Sequence, residues 1–289
     1  MLYLVFLKKQ KTFHLWKKGR QASKDKVRLM KSALLVCFSF FMLIGGVFGQ
    51  TLENIALPDG FRRVPAAPGS LTAWLRKMPL KADKTVYLFN GEKKRNQSAQ
   101  FAVLDISVGN KDLQQCADAV MRLYAEYQYA QGRYDKIVFH ATDGTLLSYS
   151  DWRAGYRYPL QGQRLRKLKS AAANTTRAGF DAYLELVFSY AGTLSLSREL
   201  KRVKNTGDIQ PGDVILEGGS PGHAVMVMDV AVNAAGEKRF LLAQSYMPAQ
   251  NIHVLRNPGA SHPWYSNQWG NSLVTPEWIF GKDCLYRWP

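Results

Sequence analysis

Three residues of this 289-residue chain have side chains and surroundings suited to covalent chemistry: Cys116, His223 and Gln244. A thiolate is a nucleophile, and an imidazole can take the thiol's proton near neutral pH. A polar side chain on a neighbouring strand can hold that ring in one orientation. His223 follows the turn-forming stretch Gly218-Gly-Ser-Pro-Gly222 and opens an almost continuously apolar run from Ala224 to Val232. After Asn233-Ala-Ala-Gly236, a second apolar run, Phe240 to Ala243, leads into Gln244 and Ser245. The pattern predicts two strands of a buried sheet joined by a hairpin with glycine at its turn. His223 then stands at the start of a strand, beside a turn that leaves its ring accessible, and Gln244 faces it from the next strand. A histidine beside a turn also serves commonly as a hydrogen-bonded structural residue, and that alternative stays open here.

Cys116 belongs to a different element. Leu113, Cys116, Ala117, Val120, Tyr124 and Tyr127 recur at helical spacing behind Asp112 as an N-cap, and Asp118, Arg122 and Glu126 form an i, i+4 ladder elsewhere on that helix. Cys116 therefore lies on the apolar side of the first turn or two. There it is either a core thiol or a nucleophile whose thiolate the helix N-terminus stabilises. Cys284 is the other cysteine outside the N-terminal region, so an exported chain would have either a disulfide between the two or free thiols.

Other chemistries fit less well. Gly218 to Gly222 matches G-x-S-x-G, but a β-run follows Ser220 where a nucleophile elbow needs a helix, and Pro221 has no N–H to give to an oxyanion hole. His223, His253 and His262 lack ligand spacing such as H-x-x-x-H, and Asp229 alone completes no site, so neither a metal nor a cofactor is expected.

The elements that must position these residues follow in chain order. Residues 1–29 carry nine basic residues against one acid, a net +8, and read as an upstream extension. Met30-Lys31 then starts a charged head, a sixteen-residue apolar core from Ala33 to Phe48, and small residues ending at Gly49, a pattern that predicts a signal peptide over 30–49. Sixteen residues fall short of the roughly 20 that span a bilayer, which favours cleavage over an uncleaved anchor. With Lys31 also removed, +8 of the chain's +17 belongs to residues 50–289, scattered rather than striped. That balance suits anionic envelope polymers, and with no nucleic-acid motif in the chain and export arguing further against that role, no nucleic acid is expected as a partner.

Residues 50–289 are expected to form one α+β domain, an antiparallel sheet packed against helices. Ser70–Arg76 predicts a short helix. Val86–Phe89 and Phe101–Ile106 predict strands joined through a solvated Gly-Glu-Lys-Lys-Arg-Asn loop. The basic stretch from Leu160 to Thr176 predicts a solvated loop or ragged helix, Phe180 to Ala191 a buried helix, and Ile252–Leu255 a strand. Seven rings between Trp264 and Trp288 suit either a sugar-binding face or packing against the sheet.

A helical cysteine, a further helix, Gly-Asp opening a strand, a histidine starting the next strand and a polar residue one strand later make an order that resembles the papain-like hydrolases of bacterial envelopes, the NlpC/P60 and CHAP groups. That resemblance implies a papain-like core, Cys116 as nucleophile, His223 as base and Gln244 as orienter, in a thiol amidase or peptidase acting on cell-wall peptide. The chain departs from the pattern in having Gln-Gln-Cys-Ala-Asp in place of Asp-Cys-Ser-Gly, and an amide as orienter. The segments LPDGFRRV, LQQCADAVMRLYAEY, PGHAVMVMDV, LLAQSYMPAQ and TPEW are similar to the secreted bacterial family called domain of unknown function 4846, which implies export without implying an activity. The alternative to a hydrolase is a non-catalytic envelope protein that binds glycan or peptide in the same cleft. The expected partners are cell-wall peptide or glycan, with membrane contact only through an uncleaved signal segment.

Overall fold

The longest strand among the described residues, which opens at His223, runs through the middle of a sheet. The computed structural model describes residues 49–289, which cluster into one compact unit. The expected extension 1–29 and, apart from Gly49, the expected signal segment 30–49 lie outside the described residues. Among the described residues no helix is long and apolar enough to cross a membrane.

Nine strands form the main sheet: Arg62–Arg63 (β1), Gln100–Val103 (β2), Lys201–Arg202 (β3), Val214–Glu217 (β4), His223–Val232 (β5), Lys238–Gln244 (β6), His253–Leu255 (β7), Tyr265–Ser266 (β8) and Leu285–Arg287 (β9). Their order is β2-β7-β6-β5-β4-β9-β3, with β1 added to the C-terminal half of β5 and β8 to β6; every pairing is antiparallel. The described residues include five α-helices: Leu71–Arg76 (α1), Cys116–Ala130 (α2), Tyr149–Arg153 (α3), Arg177–Tyr190 (α4) and Thr193–Glu199 (α5). The chain is thus mixed α and β, built on a large antiparallel sheet.

Side chains alternate along a strand, so β5 and β6 feed two cores. Ala224, Met226, Leu241 and Ala243 pack with Ala117, Val120 and Met121 of α2 on the helix face. Val225, Val227, Phe240 and Leu242 pack on the other face with Phe280, Cys284 and Leu285. A small ladder, Ser272–Val274 against Ile279–Gly281, supplies Leu273 and Phe280 to that second layer.

Halfway along β5 the register slips by one residue between Val227 and Asp229. This bulge pairs Asp229 with Leu241, a helix-face residue, and so turns the carboxylate toward the helices. There Arg63 Nε donates to one carboxylate oxygen at 2.7 Å and Arg76 Nε to the other at 2.8 Å, with Asp229 fully buried. Asp229 is thus the counter-ion that holds β1 and α1 to the sheet. Asp213 of the Gly-Asp pair is structural in the same way: Arg287 of β9 grips it through Nε at 2.7 Å and Nη2 at 2.8 Å.

Several sequence expectations need correction. Residues 86–89 make no strand paired with β2; they form isolated bridges through Tyr87 to Lys93 and Leu88 to Gln250, while β2 pairs with β7. The stretch from Leu160 to Thr176 contains short ladder strands, Leu160–Gln161 against Arg164–Leu165 and Leu168–Lys169 against Tyr156–Arg157. Two-residue strands are too short to leave a period in the sequence. The tail's rings divide between the two open readings: Trp264, Tyr265 and Phe280 are buried and Trp288 stacks on Tyr124 with centroids 3.9 Å apart, while Trp278 is half-buried and lines a cleft. Cys116 and Cys284 are both buried and free.

Replacing Asp229 by Ala leaves two arginines without their shared carboxylate, and the expected loss is about 3–5 kcal/mol of unfolding free energy in urea. A loss below about 1 kcal/mol would show that the ion triad does not hold these elements.

Candidate functional site

The site is assembled at the ends of β5 and β6 that lie nearest the start of α2. Helix α2 begins at Cys116, later than the expected N-cap at Asp112 implies. Asp112 is used elsewhere, its Oδ1 accepting the Ala249 N–H at 2.6 Å. Gln115 caps the helix instead, with its own N–H donated to Asp118 Oδ2 at 2.9 Å. Asp118 is therefore buried at the first turn, and the expected ladder is reduced to Arg122 and Glu126, 3.6 Å apart. Just before the helix, Gln114 O accepts the hydroxyl proton of Ser245 at 2.8 Å, fixing the start of α2 against the end of β6.

Cys116 is 7 % exposed. The N–H groups of Ala224, Cys116 and Ala117 favour its thiolate, but burial outweighs them and pushes the thiol's pKa up. It lines a cleft of about 290 Å³ together with Asp118, the Gly219–Gly222 turn, Thr193, Met247 and Trp278. The turn is held close to α5: Thr193 Oγ1 donates to Gly219 O at 3.1 Å, and a Cβ on Gly222 would stand 2.4 Å from the same hydroxyl oxygen. Only glycine fits there. Asp118 Oδ1 has no hydrogen-bond partner, and burial pushes that carboxyl up to about 8, leaving it neutral at pH 7.

His223, 1 % exposed, lies on the face of β5 away from α2, against the rings of Tyr246, Trp278 and Phe280 at centroid distances of 5.1, 5.2 and 5.7 Å. Ala224, whose N–H favours the Cys116 thiolate, is the next residue, while His223 and Gln244 do not themselves line the Cys116 cleft. Gln244 does face His223 across the hairpin, with Oε1 2.8 Å from Nε2. Its amide orientation follows from its other neighbours. Gln244 Nε2 donates to Glu277 Oε2 at 2.7 Å, and the same oxygen takes Lys94 Nζ at 2.5 Å. A carboxylate accepts only, so Gln244 must turn its NH₂ toward Glu277 and its carbonyl toward His223. His223 then carries its proton on Nε2 and has a lone pair on Nδ1. On the far side, Gln244 Nε2 lies 3.4 Å from His253 Nε2, whose ring donates from Nδ1 to Asn251 O at 2.9 Å. Every group in this buried chain has one consistent role.

Burial lowers the His223 pKa to about 4 against the opposing pull of Gln244 and Glu277, and lowers that of His253 to about 3, with the Lys94 charge adding to it. Both rings are neutral at pH 7. Lys94 is pushed down by burial and supported by Glu277. Lys94 corrects an expectation, since it belongs to the Gly-Glu-Lys-Lys-Arg-Asn stretch read as solvated and yet is 7 % exposed. The sequence pattern singles out neither His253 nor Glu277 as a site residue, although the segment TPEW contains both Glu277 and Trp278. Among the described residues no group of three His, Cys, Asp or Glu side chains could hold a metal ion.

The chain belongs to the family described as Domain of unknown function (4846), whose model matches residues 52–287. No curated protein and no solved structure matches it.

Both imidazoles are held neutral, so the unfolded chain binds protons more readily than the fold once pH drops below about 6.5. Their stabilising contribution is full above that pH and is lost as pH falls toward 3. Asp118 acts in the opposite sense, full below 3.8 and lost as pH rises through about 8. The informative quantity is therefore a difference between variants. Between pH 6.5 and 3, His253→Gln should lose less stability than the parent chain, by on the order of a few kcal/mol in chemical denaturation. Equal losses in the two proteins would mean that His253 is not held neutral.

Proposed function

We propose that this member of the family is a secreted cysteine amidase or peptidase with a papain-like core, in which Cys116 attacks, His223 carries the proton and Gln244 orients the imidazole. The observation that carries the reading is the His223–Gln244 hydrogen bond, whose polarity leaves the Nδ1 lone pair unused on the residue directly after the Gly219–Gly222 turn that lines the Cys116 cleft. A thiol pushed up and an imidazole pushed down both rest neutral, so in this reaction the proton moves as the bond forms. The sulfur attacks the amide carbon while the thiol proton passes to Nδ1. The Cys116 N–H, free at the first position of α2, stabilises the oxyanion. Collapse breaks the C–N bond, and the Nδ1 proton leaves with the amine. Water, deprotonated by the same Nδ1, then cleaves the thioester and restores the thiol. Gln244 Oε1 holds Nε2–H throughout, so the imidazolium keeps both its protons partnered. The export-type leader read at 30–49 directs the substrate choice toward cell-wall peptide.

A second reading, a non-catalytic envelope protein binding peptide or glycan in the same cleft, draws support from the shallow exposure and raised pKa of Cys116. The two readings separate on reactivity. For a hydrolase, iodoacetamide should modify folded protein at Cys116 and more slowly in His223→Ala, and both Cys116→Ala and His223→Ala should lose about 10³-fold or more of hydrolysis of muropeptide substrates without loss of fold. Hydrolysis that survives either substitution would sink the proposal, and a folded thiol inert to alkylation would favour the binding reading.

A further inference from the structure

Behind His223 and Gln244 stands an ion pair that the proposed reaction does not itself use. Lys94 and Glu277 come from segments far apart in the chain, and their side chains are 8 % and 12 % exposed. Removing two charges from water is unfavourable, and a buried pair is often no better for stability than apolar side chains of the same volume. This pair meets a specific polar neighbour. Glu277 Oε2 accepts from Lys94 Nζ and Gln244 Nε2 together, and Oε1 accepts from Asn96 Nδ2 at 3.1 Å. Without that carboxylate the terminal amide of Gln244 can rotate by half a turn, held back only by the longer contact to His253. The rotated amide presents N–H to His223 Nε2, which must then give up its proton and place it on Nδ1.

We propose that Glu277 and Lys94 are positioning residues for His223: Glu277 locks the Gln244 amide so that the imidazole carries its proton on Nε2 and offers Nδ1 as the acceptor, while Lys94 cancels the carboxylate's charge so that the ring stays neutral. The functional significance rests on the hydrolase reading above; the protonation pattern itself does not. The ionisable groups facing His223 fit this division. Glu277 and Glu217, its register partner on β4, favour the charged ring, while Lys94 opposes them. Tyr246 packs edge-on against the ring, and His253 is separated from it by Gln244. Lys94 is the cation among these groups, so its loss should let the two carboxylates draw a proton onto the ring at higher pH.

The test is a long-range ¹H–¹⁵N correlation spectrum of the full chain, with His223 assigned by its disappearance in His223→Ala. At pH 7 the parent protein should show a neutral His223 protonated at Nε2. Glu277→Gln, which retains an oxygen able to accept from Gln244, should keep that pattern. Glu277→Met should convert it to a mixture in which the Nδ1–H form gains, and Lys94→Met should move the His223 titration midpoint upward. A parent spectrum with the proton on Nδ1 overturns the proposal without any substitution at Lys94 or Glu277. So does a Glu277→Met spectrum indistinguishable from the parent, or an unmoved midpoint in Lys94→Met. None of these signals depends on turnover, so the assignment of the lock and the assignment of hydrolysis can fail separately.

Discussion

A hydrogen bond has a direction, and a buried chain of them admits very few arrangements of protons. From Lys94 through Glu277, Gln244 and His253 to the Asn251 carbonyl, each group is fixed as donor or acceptor by the one before it. One end is an ammonium that can only donate, and the other is a carbonyl that can only accept. His223 hangs from the middle of this chain and inherits its polarity. The surrounding architecture serves it: the hairpin brings Gln244 within hydrogen-bond reach of His223, β7 brings His253 into register with Gln244, and the small ladder in the tail delivers Glu277 and closes the aromatic wall. A half-satisfied network would be worse than an apolar core, which explains why so much of the molecule converges there.

The sheet separates the two halves of the site. Cys116 belongs to the helix layer, at the first position of α2, while His223 and Gln244 belong to the opposite face. Ala224, the residue after His223, faces the helix layer at the start of β5. Ala224 is small and fully buried, so the start of α2 can approach the backbone of β5 directly. The chain thereby keeps its polar network dry on one side and gives the thiol a cleft on the other.

The parts of this arrangement legible in the sequence were the local ones. A glycine-rich turn before an apolar run marked His223 as the start of a strand, and a hairpin of readable length placed Gln244 across from it. The helical period marked α2 but misplaced its start, because Asp112 is drawn away by the amide of Ala249, a partner 137 residues distant that no local pattern encodes. Lys94 and Glu277 lie in irregular segments and carry the polar types expected of solvent-facing loops. What buries them is each other, across 183 residues. Asp229 looked like a stray carboxylate for a similar reason, since its partners sit on β1 and α1. The aromatic tail keeps both of its sequence readings, with Trp264, Tyr265 and Phe280 buried and Trp278 lining a cleft.

The bulge in β5 gives that strand two phases. A strand of uniform pleat would force residue 229 onto the same side as residues 223, 225 and 227, coupling the orientation of the histidine to that of the arginine-bound carboxylate. The slip at Val227/Asp229 breaks the linkage, so the first half of the strand is in phase with the cleft and the second half with β1 and α1. Such a strand behaves as two short strands spliced in series. Sequence change at one end need not propagate to the other, whereas deletion of the one extra residue would disturb both ends at once.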